Sequence, residues 1–169
     1  IREAQAAVQG MKDADPDETT AFVVSLTFEH KGRTVTGTPP EVAAHWARRV
    51  GAAGIGAHCG VGPDAYVPVV ETLAANAGIP VFVYANGGLP GEETWSPERF
   101  AESGVRLARA GASVVGGCCR TTPEHIRVLR ETLSGMPLPV PAAPDYTPLA
   151  SRSGLVASGP ERPFLIIGE

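Results

Sequence analysis

Four short apolar runs, each followed by a stretch with helical periodicity, constrain this chain more than any other feature. Residues 21–28 form the first run, AFVVSLTF. Residues 54–58, 79–84 and 112–116 repeat it. Continuous apolar runs of this length, set between helices, predict strands of a parallel sheet rather than one-sided antiparallel strands. The intervening helices announce their starts with proline: Pro39-Pro40-Glu41, Pro63-Asp64, Ser96-Pro97-Glu98 and Thr122-Pro123-Glu124. Proline suits the first helical turn, where its missing N–H has no intrahelical partner. The helices are predicted over residues 39–50, 63–76, 96–110 and 122–133, after a leading helix over residues 2–11. The order is βα four times. It fits either a small doubly wound sheet or half of a (β/α)8 barrel, whose full form takes about 250 residues.

The chain has 169 residues, of which 43% are hydrophobic. That supports one ordinary core. A net charge of −4, with no basic run, argues against a nucleic-acid partner. No apolar stretch reaches the roughly 18 residues of a membrane span. The first residues, Ile1-Arg2-Glu3-Ala4-Gln5, show neither an initiator Met nor a secretory signal pattern. Three cysteines, an odd number, suit reduced thiols better than a disulfide framework. These features lead us to expect a cytoplasmic protein.

After Gly135 the pattern changes. Residues 136–148 carry five prolines and no helical period, which predicts a semi-rigid extended linker. A Ser/Gly/Pro-rich loop is expected over 151–160. Residues 164–169, FLIIGE, read as a new strand with no helix behind it. The expected organisation is therefore a half-barrel over 1–135, a Pro-rich linker over 136–160, and the start of a second domain over 161–169.

The chemistry-bearing residues fall at strand ends. Cys59 follows the second strand and Cys118-Cys119 the fourth. Function in parallel α/β folds gathers at the C-terminal ends of strands. Three thiolates with a vacant position describe a zinc site of the catalytic kind, because a closed structural site has four protein ligands. Two other readings stand: the cysteines are small core residues, or the adjacent pair is a vicinal disulfide. Asn86, in Ala85-Asn86-Gly87-Gly88-Leu89-Pro90, sits either at the same pocket or merely in an Asn-Gly turn. His58 adjoins Cys59, but strand alternation points neighbours to opposite faces. His125 falls in the first turn of the last helix and is expected in solvent; His30 and His45 lack any partner pattern. Glu41, Asp64 and Glu124 lie just inside helix starts, where carboxylates favour the helix dipole, and are assigned no catalysis. Phosphate-binding and nucleophile-elbow motifs are absent.

Three segments together carry a resemblance. They are Gly56-Ala57-His58-Cys59-Gly60-Val61-Gly62-Pro63, Ala85-Asn86-Gly87-Gly88-Leu89-Pro90, and Gly116-Gly117-Cys118-Cys119-Arg120-Thr121-Thr122-Pro123-Glu124-His125-Ile126. Over residues 2–133 the chain resembles the homocysteine S-methyltransferase domain, a (β/α)8 barrel. The resemblance implies Cys59, Cys118 and Cys119 as ligands of one zinc. It implies Asn86 as the group filling the open zinc position before substrate, and backbone around Gly87 as a hold on the amino-acid end of homocysteine. No side chain beyond the metal site is assigned catalysis. Ser153-Gly154-Leu155 and Arg162-Pro163 onward resemble the join to the pterin-binding domain of cobalamin-dependent methionine synthases. The expected reaction is then zinc-dependent methyl transfer to homocysteine giving methionine. The methyl would come from methylcobalamin, recharged from methyltetrahydrofolate on other domains. A cobalamin-free donor, S-methylmethionine or betaine, is the alternative. An inactive half-barrel fragment, or a zinc subunit that binds a partner half, is a third. Two departures adjoin the expected ligands: His58 where Asn is usual and Arg120 where Gly is common. The acidic motif that would hold the substrate amine, with the first four βα units, would lie before residue 1.

Overall fold

The computed structural model describes residues 1–89, 91 and 93–163. The strand expected over 164–169 lies outside the described residues. A leading helix, α1 (Arg2–Ala14), precedes four βα units. These are β1 (Val23–Leu26) with α2 (Pro40–Arg49), β2 (Gly54–Cys59) with α3 (Pro63–Ala77), β3 (Val81–Ala85) with α4 (Pro97–Arg109), and β4 (Val114–Gly117) with α5 (Pro123–Leu133). All four proline starts are helix starts, and Ser96 caps α4 by accepting from the Arg99 amide at 3.3 Å. None of the described helices is long and apolar enough to cross a membrane.

The strands pair in parallel in the order β1-β2-β3-β4. This order decides between the two architectures. Right-handed crossovers that always step to the next strand on one side leave every helix on the same face. A doubly wound sheet needs a reversal of strand order, and none occurs among the described strands. The sheet is therefore singly wound, consistent with half of a (β/α)8 barrel. Its helix-facing side carries Val24, Ile55, Ala57, Val81, Val83 and Ala85, all buried against Tyr66, Val70 and Leu73 of α3 and Ala43 and Ala47 of α2. On the other face Ser25, Gly56, Phe82 and Val114 share one row of the register, and His58, Tyr84 and Gly116 the row nearer the strand ends. The Phe82 ring occupies the space a side chain at residue 54 would need, and the Tyr84 ring does the same at residue 116.

The segment after α5 departs from expectation. Residues 136–146 form no helix or strand, but the part beyond them, instead of continuing extended into a loop, folds into an antiparallel hairpin, β5 (Thr147–Ala150) with β6 (Leu155–Ser158). The approach to it packs on the barrel helices. Ala143 lies against Gly78, and the Tyr146 hydroxyl bonds Asn76 Oδ1. At the hairpin tip the Ser153 carbonyl accepts from Arg33 Nη1 at 3.2 Å. Proline content favours extended backbone but leaves open what that backbone lies on. Here the helices supply the surface.

Leu73 is fully buried at the centre of this core, whereas Leu149 on the hairpin is 45% exposed. Leu73→Ala is expected to destabilise the chain by about 2–5 kcal/mol in urea unfolding. Leu149→Ala should cost less than about 0.5 kcal/mol.

Candidate metal centre

The ends of β2 and β4 are not neighbours, because β3 runs between them. At a strand spacing near 4.8 Å, their backbones stand roughly 10 Å apart. Two backbone features bring their sulfurs together. Cys59, the last residue of β2, has φ 53 and Gly60 has φ 54, so two consecutive residues are left-handed. The turn breaks strand alternation and swings the Cys59 sulfur towards β4. A side chain at residue 60 would strike the Phe28 carbonyl at 2.3 Å, so glycine is required there on both counts. On the other side, Cys118 continues the β3 pairing by donating its amide to the Ala85 carbonyl at 2.8 Å. Thr121 then closes a turn by donating its hydroxyl to the Cys118 carbonyl at 2.7 Å.

The three sulfurs meet over the end of β3. Cys59 Sγ is 2.9 Å from Cys118 Sγ and 3.7 Å from Cys119 Sγ, and Cys118 and Cys119 are 4.0 Å apart. All three thiols are free, so the vicinal disulfide does not form. Among the described residues they are the one group of three or more metal-binding side chains that converges. Three sulfurs held tetrahedrally at the zinc–thiolate distance of about 2.3 Å stand roughly 3.8 Å apart. Two of the three observed separations are close to this value, and the third, at 2.9 Å, is shorter. The donor set therefore fits zinc. The same contact splits the thiols electrostatically. Cys59 is pushed up to about 12, chiefly by its hydrogen bond to Cys118 and then by burial. Cys118 is lowered because it receives that bond.

Asn86 is brought to the cluster and is 6% exposed. Its Oδ1 accepts from the Cys119 amide at 3.2 Å. Gly87 donates its amide to the Cys119 carbonyl at 2.8 Å, and its own carbonyl accepts from the Trp95 amide at 2.9 Å. The loop after β3 and the loop after β4 are thus laced together. Arg120 adds to the lacing, donating from Nη1 to the Leu89 carbonyl and from Nη2 to Thr94 Oγ1, both at 2.6 Å. Its φ of 64 explains why glycine is at home in this position, and the two hydrogen bonds offset the left-handed strain.

His58 and His125 have structural roles. His58 projects away from the thiols, with Nδ1 2.7 Å from Ser25 Oγ and Nε2 3.2 Å from Thr27 Oγ1. His125 corrects the expectation of a solvated helix position, for it is 4% exposed. Its Nδ1 accepts from the Thr122 amide at 3.2 Å and its Nε2 meets the Trp95 carbonyl at 2.8 Å. A helix start is solvated only where no loop crosses it, and here the loop after β3 does. Asp64 and Glu124 are ion-paired with Arg106 and Arg127 on the surface, as suits carboxylates at helix starts.

Sequence reasoning missed Tyr66. It is fully buried, and its hydroxyl donates to the His58 carbonyl at 2.9 Å and lies 3.3 Å from the Phe28 carbonyl. Burial pushes its phenol up to about 12, which keeps it a donor. The available signal was a tyrosine on the apolar side of a helix, because a buried phenol usually needs a polar partner.

The homocysteine S-methyltransferase family model matches residues 1–133. The chain belongs to the homocysteine S-methyltransferase family. It is 36% identical over 111 residues to the methionine synthase of Mycobacterium leprae, an overlap that covers 62% of this chain and 9% of the relative. The chain thus matches under a tenth of that relative's length. A Burkholderia cenocepacia protein described as a lyase/mutase shares the fold, with a TM-score of 0.50 at 18% identity over 71% of this chain and 46% of that one.

Gly87 is where the two laced loops come closest. A side chain there would lie 2.8 Å from the Arg120 carbonyl oxygen. Gly87→Ala is expected to destabilise the chain by about 1–3 kcal/mol. It should also raise the hydrogen-exchange rate of the Cys119 amide, measured by NMR or mass spectrometry.

Proposed function

We propose that this chain is the thiol-bearing, C-terminal half of a homocysteine-binding barrel, and that the protein it belongs to transfers a methyl group to homocysteine to give methionine. The observation that carries this reading is the convergence of Cys59, Cys118 and Cys119 at the strand ends of a chain of this family. Cys59, Cys118 and Cys119 would hold one zinc, which would keep the thiol of bound homocysteine ionised and nucleophilic at neutral pH. A free thiol with a pKa near 8.5 is only a few per cent thiolate there. Three negative sulfur ligands leave electron density on the fourth, so the substrate sulfur retains its power to attack a methyl group.

The chain's own residues supply orientation. Asn86 stands beside the cluster with its carbonyl oxygen on the Cys119 amide, and we assign it the open position before substrate enters. The Gly87 amide is committed to Cys119, so a hold on the substrate amine at this loop would use the second lone pair of the Gly87 carbonyl. Methylcobalamin as donor and methyltetrahydrofolate as its source would be handled by other parts of a longer protein. The division proposed is half-barrel over 1–135, a connecting segment over 136–160 that includes the β5–β6 hairpin, and the start of a pterin-binding domain over 161–169. Both edges of the sheet support a partner half-barrel: among the described residues β1 and β4 each have one unpaired side, and Val23 and Val114 on them are 43% and 38% exposed.

Zinc analysis of the purified chain tests the site. One equivalent is expected, and none after Cys→Ser at positions 59, 118 and 119 together. Retention of stoichiometric zinc by the triple variant would sink the ligand assignment. On this half-barrel reading the chain alone is expected to turn over no homocysteine with methylcobalamin; measurable turnover would overturn it.

Zinc affinity should also depend on pH in a defined direction. Protons compete with the metal for each thiolate, so affinity falls as pH falls. Cys59 is raised to about 12 and must release its proton on binding at any pH below that. Apparent affinity is therefore expected to rise by at least about tenfold per pH unit between roughly 6 and 8. Chelator competition measures the slope, and calorimetry in buffers of different ionisation enthalpy counts the protons.

A further inference from the structure

We propose that Tyr66 is a positioning residue for the thiol cluster: its buried hydroxyl, by holding the His58 carbonyl, sets the turn that brings the Cys59 sulfur onto Cys118. The hydroxyl reaches out of α3 and lies against the ends of two strands, 2.9 Å from the carbonyl of His58 on β2 and 3.3 Å from that of Phe28 just beyond β1. The carbonyl of His58 and the amide of Cys59 belong to one planar peptide. Fixing the oxygen of that plane fixes the direction from which the Cys59 φ is turned. At φ 53 the turn is one that non-glycine residues rarely adopt, so it persists only where its surroundings impose it. The surroundings here are tight. A side chain on Gly60 would sit 2.3 Å from the Phe28 carbonyl and 2.9 Å from the Tyr66 hydroxyl. The same hydroxyl therefore borders the space over Gly60 that a side chain would need.

The Tyr66 hydroxyl holds the carbonyl end of this peptide, and the Cys118 thiol meets its amide end. The His58 ring bonds sideways to Ser25 and Thr27, and Asn86 serves the Cys119 side of the cluster. Each arm of the cluster thus has its own brace, Asn86 for the paired cysteines and Tyr66 for the lone one. Groups that orient a metal ligand without touching the metal typically change affinity roughly 10–100-fold when removed.

The proposal rests on the zinc reading of the three cysteines, and its test separates the two. In the full chain, Tyr66→Phe keeps the ring that fills the core and deletes only the hydroxyl. Zinc affinity is read by competition with a chromophoric chelator, and the thiolate-to-cobalt charge-transfer band with Co(II) in place of zinc. Capture of arsenite, which takes up three convergent thiols, is the metal-independent readout. The expected result is a zinc dissociation constant roughly 10–100-fold higher in Tyr66→Phe, a weakened cobalt band and slower arsenite capture. Leu73→Ala, a core variant without contact to the cluster, controls for stability and should retain wild-type zinc affinity while folded. Wild-type zinc affinity and cobalt band in Tyr66→Phe would overturn the proposal. So would an equal loss of affinity in Leu73→Ala, or a Tyr66→Phe chain that does not fold, since either makes the hydroxyl a structural bond alone. If the wild-type chain binds no zinc, the metal reading fails and arsenite capture decides the positioning role. Slower capture in Tyr66→Phe supports it, and equal capture overturns it.

Discussion

The cluster depends on closing a gap of roughly 10 Å between strand ends that another strand keeps apart. Regular backbone cannot do this, because side chains of a strand stand perpendicular to the sheet. The chain closes the gap from both sides. On β2 it breaks strand geometry with two left-handed residues, Cys59 and Gly60. On β4 it prolongs the pairing to β3 through Cys118 and then turns sharply through Thr121. Both devices carry strain or exclude side chains, and each is stabilised by hydrogen bonds from elements distant in sequence. The glycines around the cysteines follow from this crowding as much as from backbone freedom.

The singly wound sheet makes such a site possible. With all helices on one face, the other face and the strand ends stay clear, and the loops after β3 and β4 can lace directly to each other. The lacing has a consistent logic. Asn86 and Gly87 hold Cys119, Arg120 holds Leu89 and Thr94, and His125 holds Trp95. Polar side chains that look available for chemistry in the sequence are largely consumed by it. What remains at the centre is three sulfurs in contact with one another, a soft donor set.

The helices were legible because their signals are local. Proline at the first turn and Ser96 at a cap act through bonds within four residues, so α2 to α5 begin within one residue of expectation. The three cysteines were legible as a set because strand ends of a parallel sheet share one side. The fate of His125 was hidden, since its burial comes from a loop thirty residues away. The hairpin at 147–158 was hidden for a similar reason: five prolines describe the stiffness of a segment, and the surface of α2 and α3 decides where it lies. Tyr66 showed only as an apolar helix position, because its partners are backbone carbonyls on two other elements.

The amino-acid sequence by itself determined the order of elements, their approximate ends, the parallel character of the sheet and which residues could ligate a metal. These follow from periodicity, capping and side-chain chemistry, all short-range properties of the chain. Only the tertiary structure decided that the described helices lie on one face, that Cys59 leaves its strand in a left-handed turn, and that His58 and His125 serve the scaffold. Each of these is set by contacts between segments far apart in the chain. A sulfur's position to within an ångström is decided by which carbonyl a buried hydroxyl can reach, and no local pattern of residues encodes that.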